Sequence, residues 1–240
     1  RRHYVDFHRQ YNQEAEVRDI MTSTSVDFHH WTDPVFLKYP DIEPEHLYTN
    51  QITPYHRAPH IFIGLPKRFI PTRSAWDHQY DGVSDAVFMT SRDGVNFKRW
   101  GEAIIRPGLQ KERWVNRNNG AAWGILETGS STPGTPNELS IYSAEGYYQG
   151  TASRMRRFTW RIDGFTSIHA KLRGSQLLTK PLIFTGKSLT LNFSTSAAGY
   201  IRVEVQHENG SPVEGLSLED SDELYGDSIE QVVMWKGESP

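Results

Sequence analysis

Ser25-Val26-Asp27-Phe28-His29-His30-Trp31 and Ser91-Arg92-Asp93-Gly94-Val95-Asn96-Phe97-Lys98-Arg99-Trp100 are two versions of one motif, and their reading decides the fold. Each carries Ser-x-Asp, then Phe, then two residues, then Trp, which sets Trp31 beside Trp100 as equivalents. The chemistry suits a β-hairpin. An Asp side chain accepts hydrogen bonds from backbone two residues on, and Gly94 supplies the left-handed turn position. Phe and Trp provide bulk that packs between adjacent sheets. Four-stranded blades fanned around an axis need such wedges, because each sheet buries a face against its neighbour. The repeat therefore favours a propeller over a generic sandwich.

Working outward, period-2 patterns dominate, and no stretch keeps apolar residues at helical spacing over three or four turns. The chain reads as all-β. Ile201, Val203 and Val205 alternate with Arg202, Glu204 and Gln206, one face inward and one wet. Leu189, Leu191 and Phe193 alternate likewise with Thr190, Asn192 and Ser194. Further strands are expected over 60–63, 85–89, 122–126, 138–142, 155–162 and 229–235, with hairpin-type turns at Asn209-Gly210 and Asp163-Gly164. Residues 11–20 fit either a short helix or a strand entry. A composition shift near 163–169 divides the chain into propeller blades over 1–164 and a small C-terminal β-sandwich over 165–240. The acidic run Leu218-Glu219-Asp220-Ser221-Asp222-Glu223 reads as a solvated loop; calcium binding is the other reading, without an evident ring of ligands at alternating positions.

Composition bounds the function. The 240 residues suffice to bury a core without disulfides, and the absence of Cys removes disulfide scaffolds, Cys-ligated zinc and thiol nucleophiles. With 26 basic and 29 acidic side chains the net charge is -3, a poor match to nucleic acid. No apolar run approaches the roughly 20 residues of a membrane-spanning helix. No phosphate loop, dinucleotide fingerprint or Gly-x-Ser-x-Gly elbow occurs, and nothing calls for a cofactor.

His46-Leu47-Tyr48-Thr49-Asn50, Tyr55-His56-Arg57-Ala58-Pro59-His60, Arg161-Ile162-Asp163-Gly164-Phe165, Thr179-Lys180-Pro181 and Gly226-Asp227-Ser228-Ile229, taken with the two motifs above, resemble bacterial glycoside-hydrolase-like proteins of the planctomycete type. That group has a five-bladed β-propeller similar to those of invertases and arabinanases. The resemblance spans nearly the whole chain and implies a partial five-bladed propeller followed by a sandwich. Five blades take on the order of 250 residues, so the chain is expected to be the C-terminal part of a longer protein. An essential Asp contributed by an early blade in such enzymes is then expected upstream of Arg1.

Glycoside hydrolysis needs two carboxyl groups flanking the scissile bond, one of them held protonated. Candidates are Asp85, at the head of Asp85-Ala86-Val87-Phe88-Met89, Glu127, after Ala122-Trp123-Gly124-Ile125-Leu126, and Glu145. Glu127 is favoured as the acid and Asp85 as a charge-stabilising or orienting group; a strand-end carboxylate bonded to backbone or Arg is the competing reading of each. Tyr55, Arg57 and His60 cluster before an apolar strand and form a candidate sugar- or anion-binding wall, with the planar fork of Arg57 suited to a carboxylate, a sulfate or vicinal hydroxyls. Pro59 argues against the helix that would aim His56 and His60 at one metal ion, and no metal site is assigned. Trp76, Trp114, Trp123 and Tyr147 are candidate stacking platforms, whereas Trp31, Trp100 and Trp235 are expected in cores. Trp114, Arg117 and Asn118 lie in a donor-dense segment suited to a hydroxyl-rich ligand. Arg154 and Arg156 share one strand face, Arg157 and Arg161 the other.

The leading expectation is hydrolysis of a glycosidic bond in an oligo- or polysaccharide. The alternative is a non-catalytic carbohydrate-binding or adhesion module of the same fold. A carbohydrate is the expected partner. Localisation, oligomeric state and the identity of the glycan are left open.

Overall fold

The computed structural model describes residues 4–73, 82–147 and 153–238. The chain is all-β, with one 3-10 turn at Lys111–Arg113 and no α-helix among the described residues. It divides into two compact units, Arg1–Leu126 with Ser140–Thr159, and Glu127–Leu139 with Trp160–Pro240.

The first unit opens with a hairpin. β1 (Tyr4–Asn12) pairs antiparallel with β2 (Val17–Ser25), and β2 pairs in turn with β3 (Val35–Phe36). The stretch 11–20, open between helix and strand in sequence, is the tip of this hairpin. The Asn12 side chain accepts from the Glu14 and Ala15 amides and Glu16 takes a left-handed φ of 55°, which turns the chain back on itself.

Six strand segments form the next sheet: β4 (His46–Leu47), β5 (Thr53–Tyr55), β6 (Ala58–Gly64), β7 (Lys67–Ile70), β8 (Val83–Ser91) and β9 (Lys98–Ile105). Register reduces them to a four-stranded meander. Gly64 pairs with Met89 and Lys67 with Ala86, so β6 and β7 lie in one continuous register against β8, and the Val87 amide donates to the Pro66 carbonyl between them (3.1 Å). Pro66 has no N–H to offer the next strand, which explains why regular pairing lapses there without the strand changing course. β4 and β5 are likewise two ends of one edge, joined by bonds from Leu65 to the Asn50 carbonyl and from Tyr48 to that of Lys67. Irregular register between β8 and β9 adds to the curl of this sheet, which resembles half a barrel.

The two sheets bury Ile20, Leu37, Leu47, Ile52, Val87, Met89 and Phe97 in one cluster, with Phe7, Tyr39 and Phe62 at its margin. Alternation in β2 and β8 sends Ile20, Val87 and Met89 to this face, and each buried side chain of the cluster adds roughly 1.5–3 kcal/mol of burial free energy. Main chain also crosses between the sheets: the Lys38 amide donates to the Val95 carbonyl (2.9 Å) and the Phe97 amide to that of Lys38 (2.8 Å).

A third sheet contains β10 (Leu126–Thr128), β11 (Glu138–Glu145) and β12 (Arg154–Arg161). The strand expected over 122–126 is displaced: Ala121 makes an isolated bridge to Ser143, and regular pairing begins only at Leu126. In the second unit, β13 (Thr190–Ser194) pairs with β14 (Asp227–Val232) over a core of Phe193, Leu224, Val233 and Trp235. The alternation at 201–205 places Ile201, Val203 and Val205 against this core, although pairing there is confined to spaced bonds with Leu224, Leu216 and Val213. Gly210 takes the left-handed φ of 84° that the Asn209-Gly210 turn requires. Three carboxylates of the acidic run are tied down: Asp220 pairs with Lys236 (2.5 Å), Glu223 with Arg202 (2.9 Å), and Asp222 accepts from the Gly237 amide.

The Ser-x-Asp motifs have matching hydrogen bonds. Ser25 Oγ accepts from the amides of Asp27 and Phe28, while Asp27 Oδ1 accepts from those of His29 and His30 (both 2.8 Å). Ser91 Oγ accepts from Asp93 and Gly94, and Asp93 Oδ1 from Val95 (2.8 Å) and Asn96 (2.7 Å). Phe28 and Gly94 both take left-handed φ, 70° and 76°. This superposition corrects the pairing read from sequence. Phe28 corresponds to Gly94 and Trp31 to Phe97, so Trp100 is not the partner of Trp31. Trp100 instead lies in β9 with its ring 5.0 Å from that of Phe88. The side-chain hydrogen bond from Asn96, followed by the Val95 and Asn96 amides, holds the Asp93 carboxyl well below its ordinary pKa despite some burial. Asp93→Ala removes that acceptor and is expected to cost about 2 kcal/mol of stability in urea unfolding, with Asp93→Asn recovering a large part of the loss because its amide oxygen still faces the two amides.

A third copy of the sequence pattern closes β11. Ser143-Ala144-Glu145-Gly146 repeats the pattern with Glu for Asp, and Gly146 has a φ of 71°. In the first two sheets the turn leads from the penultimate strand into the last.

Candidate functional site

The third turn differs from the other two in where its carboxylate goes. Glu145 is 1% exposed and does not serve its own loop. Its oxygens are held by Arg113 Nε (3.1 Å), Arg154 Nε (3.0 Å) and Arg156 Nε (2.6 Å). Gln110 Oε1 accepts from both Arg154 and Arg156 (3.2 Å each), closing the cluster. Burial by itself would raise the Glu145 carboxyl; the hydrogen bonds of Arg156 and Arg154 and the charge of Arg113 outweigh it and keep the group below its ordinary value. Period 2 in β12 is what brings Arg154 and Arg156 to the same side, as their spacing foretold.

The amide that Glu145 leaves free, that of Tyr147, donates instead to Asn118 Oδ1 (3.1 Å). Asn118 therefore works inside the fold. It is fully buried, and its carbonyl accepts from Ser84 Oγ (2.8 Å). Asn119, also fully buried, accepts from Arg113 Nε (3.0 Å) and donates to the Ser84 and Arg113 carbonyls. Left-handed φ values at Arg117 (68°) and Asn119 (60°) reverse the loop twice around these anchors. The donor-dense segment thus separates into buried anchors and exposed tips. Arg117 is exposed, with its guanidinium 5.9 Å from the Tyr147 ring centre. Trp114 is exposed while its indole N–H donates to the Gly108 carbonyl (2.6 Å). Trp123 is 72% exposed, and its indole N–H reaches the Ile52 carbonyl (3.3 Å). Trp76 lies outside the described residues.

Asp85 is gripped by Arg68, Nε to Oδ1 at 2.9 Å and Nη2 to Oδ2 at 2.7 Å. The other Arg68 nitrogen donates to Glu45 (3.1 Å) and to the Gly101 carbonyl (2.9 Å), and Glu45 also receives the fully buried Arg99 side chain. Both Asp85 oxygens are thereby committed to one guanidinium, an arrangement that fixes orientation. Glu127 belongs to the second unit, where it is exposed in β10 and accepts from Asn137 Nδ2 (2.9 Å). Burial raises the carboxyl of Asp19, which sequence reading passed over. It is 6% exposed and accepts from the Ile20 amide (2.8 Å) and the Tyr39 hydroxyl (3.3 Å).

His56 and Arg57 form the two-residue turn between β5 and β6, with Tyr55 paired to Ala58. Tyr55 is buried, its ring 5.0 Å from that of His56, whereas Arg57 and His60 are exposed. The proposed wall therefore reduces to its turn and the first residues of β6. Among the described residues, no three His, Asp or Glu side chains gather as metal ligands would.

No protein-family model matches the chain, and no curated protein matches it in sequence. Among solved structures, the chain is similar to an N-acetylgalactosamine deacetylase from F. plautii crystallised with blood group B trisaccharide, at 12% identity and a TM-score of 0.40. The match covers 60% of this chain and 37% of that one.

Proposed function

We propose that this protein recognises a carbohydrate on a scaffold of the five-bladed propeller type. The scaffold reading is supported by the two Ser-x-Asp turns, each placed between the last two strands of its sheet, and by the related Ser-x-Glu-Gly sequence at the end of β11. Recognition rests on one observation: Trp123 is 72% exposed, yet its indole is pinned to the Ile52 carbonyl, so a flat apolar face is presented to solvent in a held orientation. Trp114, pinned in the same way to Gly108, offers a second such face. Rings of this kind stack on the apolar face of a sugar, and holding them beforehand removes the entropy cost of ordering them on binding. In a panel of labelled plant and algal glycans, at least one is expected to bind, with Trp123→Ala weakening it on the order of tenfold. A wild-type protein that retains no glycan overturns this reading.

Hydrolysis is the catalytic form of the same proposal. Glu127 is assigned the acid role, its exposed carboxylate in β10 accepting from Asn137 Nδ2 (2.9 Å). Asp85 is assigned an orienting role through Arg68. If sugar is released, Glu127→Gln is expected to slow turnover about a hundredfold or more, and unchanged turnover removes Glu127 from the mechanism. Binding without release of sugar leaves the module non-catalytic.

A further inference from the structure

Several arginines of the first unit are spent on carboxylates. Arg68 and Arg99 hold Glu45 and Asp85, and Arg113, Arg154 and Arg156 hold Glu145. One group of cations is arranged differently. Around the ring of Tyr48, just beyond β4, stand the Arg9 guanidinium at 5.5 Å from the centroid, that of Arg18 at 5.4 Å and the Lys67 ammonium at 5.6 Å. None of these three side chains has a carboxylate partner or a side-chain hydrogen bond among the described residues. The chain has an excess of acidic groups, 29 against 26 basic ones, so the missing counter-charge is not forced by composition.

The ring cannot substitute for that counter-charge. A phenol has two faces, and each cation over it gains about 0.5–1 kcal/mol at an exposed site. Three like charges held within one ring's reach repel one another by a comparable amount at an effective dielectric near 20. Burial, then the positive charges of Arg117 and Arg9, push the Lys67 ammonium below its ordinary pKa, with no acidic group acting the other way. The Arg18 amide donates to His46 Nδ1 (3.1 Å), which leaves the ring proton of His46 on Nε2 as a further neutral donor beside Tyr48. The backbone at Gly120 closes over the Lys67 stem: a Cβ there would lie 3.1 Å from Lys67 Cδ, so a larger residue would press on the ammonium's approach.

We propose that Arg9, Arg18 and Lys67, gathered around Tyr48, form an anion subsite that takes the carboxylate or sulfate group of an acidic saccharide. The inference rests on the carbohydrate reading above and narrows its substrate class. Two guanidinium forks and one ammonium offer more donors than a carboxylate or sulfate needs, and the Tyr48 ring beside them suits the sugar's apolar face.

The test is calorimetric titration of the full chain with four probes: an oligogalacturonate, a heparin-derived oligosaccharide, a neutral galactan oligosaccharide and inorganic sulfate. At least one acidic oligosaccharide is expected to bind more tightly than the neutral one, to weaken with added salt, and to lose on the order of tenfold in affinity in each of Arg9→Gln, Arg18→Gln and Lys67→Met. Each of these variants is expected to melt no lower than wild type, because it relieves repulsion; a purely structural role would lower its Tm. Neutral binding with no preference for acidic probes overturns the anion subsite and leaves carbohydrate recognition standing. Acidic binding that all three variants leave unchanged overturns the assignment to these residues. Binding of sulfate alone overturns the saccharide ligand, and with it the reading on which this inference rests.

Discussion

Glu145→Ala is expected to lower the unfolding free energy at pH 7 by about 3 kcal/mol or more, since removing the acid leaves the largely buried Arg113 without its counter-charge. Arg154 and Arg156 can turn to water, being 49% and 40% exposed, so the loss concentrates on Arg113. The pH dependence has a definite sign. The folded carboxyl is held below its ordinary pKa, so the stability it contributes is present above the unfolded value of about 4.3 and is lost as pH falls toward the folded one. Wild type and Glu145→Ala should therefore converge in acid. Urea titrations at pH 7 and pH 3.5 check both statements, and equal midpoints at pH 7 would mean that the cluster contributes nothing.

The second large effect separates two residues that occupy the same place in the repeat. Phe97→Ala should cost about 3–4 kcal/mol, because the ring is 1% exposed and sits edge-on to Phe7 (6.2 Å) inside the main core. Trp31→Ala should cost about 1 kcal/mol or less. The indole is 37% exposed, touches Phe28 (5.6 Å) and donates to the carbonyl of that same residue, all within its own turn. Thermal melts of the two variants give the comparison, and a drop in Trp31→Ala as large as that in Phe97→Ala would show that burial does not govern the repeat.

Those two positions also show what the sequence discloses and what it withholds. Ser-x-Asp and Gly94 were legible because the turn's chemistry is local: the acceptor, the donors and the left-handed residue lie within six positions. Matching Trp with Trp was natural by composition and wrong by geometry, because the turn fixes register at the Asp and lets the aromatic type vary. The third copy was missed for a related reason. Glu145 stands where Asp is expected, and its usual task passes to Asn118, far away in sequence. The facing of Arg154 and Arg156 followed from period 2, but the buried acid that receives them did not, since strand pairing sets that contact. Arg9, Arg18 and Lys67 come from three separate strands and meet only once the sheets are formed. Trp114 and Trp123 are exposed, while burial of Asn118 and Tyr55 shows that a polar or aromatic residue near a loop can be absorbed by the scaffold itself.

The paired bonds between Lys38 and the Val95–Phe97 stretch couple the first two sheets through peptide groups and not through side chains alone. Such a seam uses only the peptide groups at Lys38, so neighbouring sheets can diverge in side-chain sequence while keeping their spacing. It also makes loss of one sheet expose unpaired main chain on the other, binding the two into a single cooperative element whose rigidity is inherited from the polypeptide backbone.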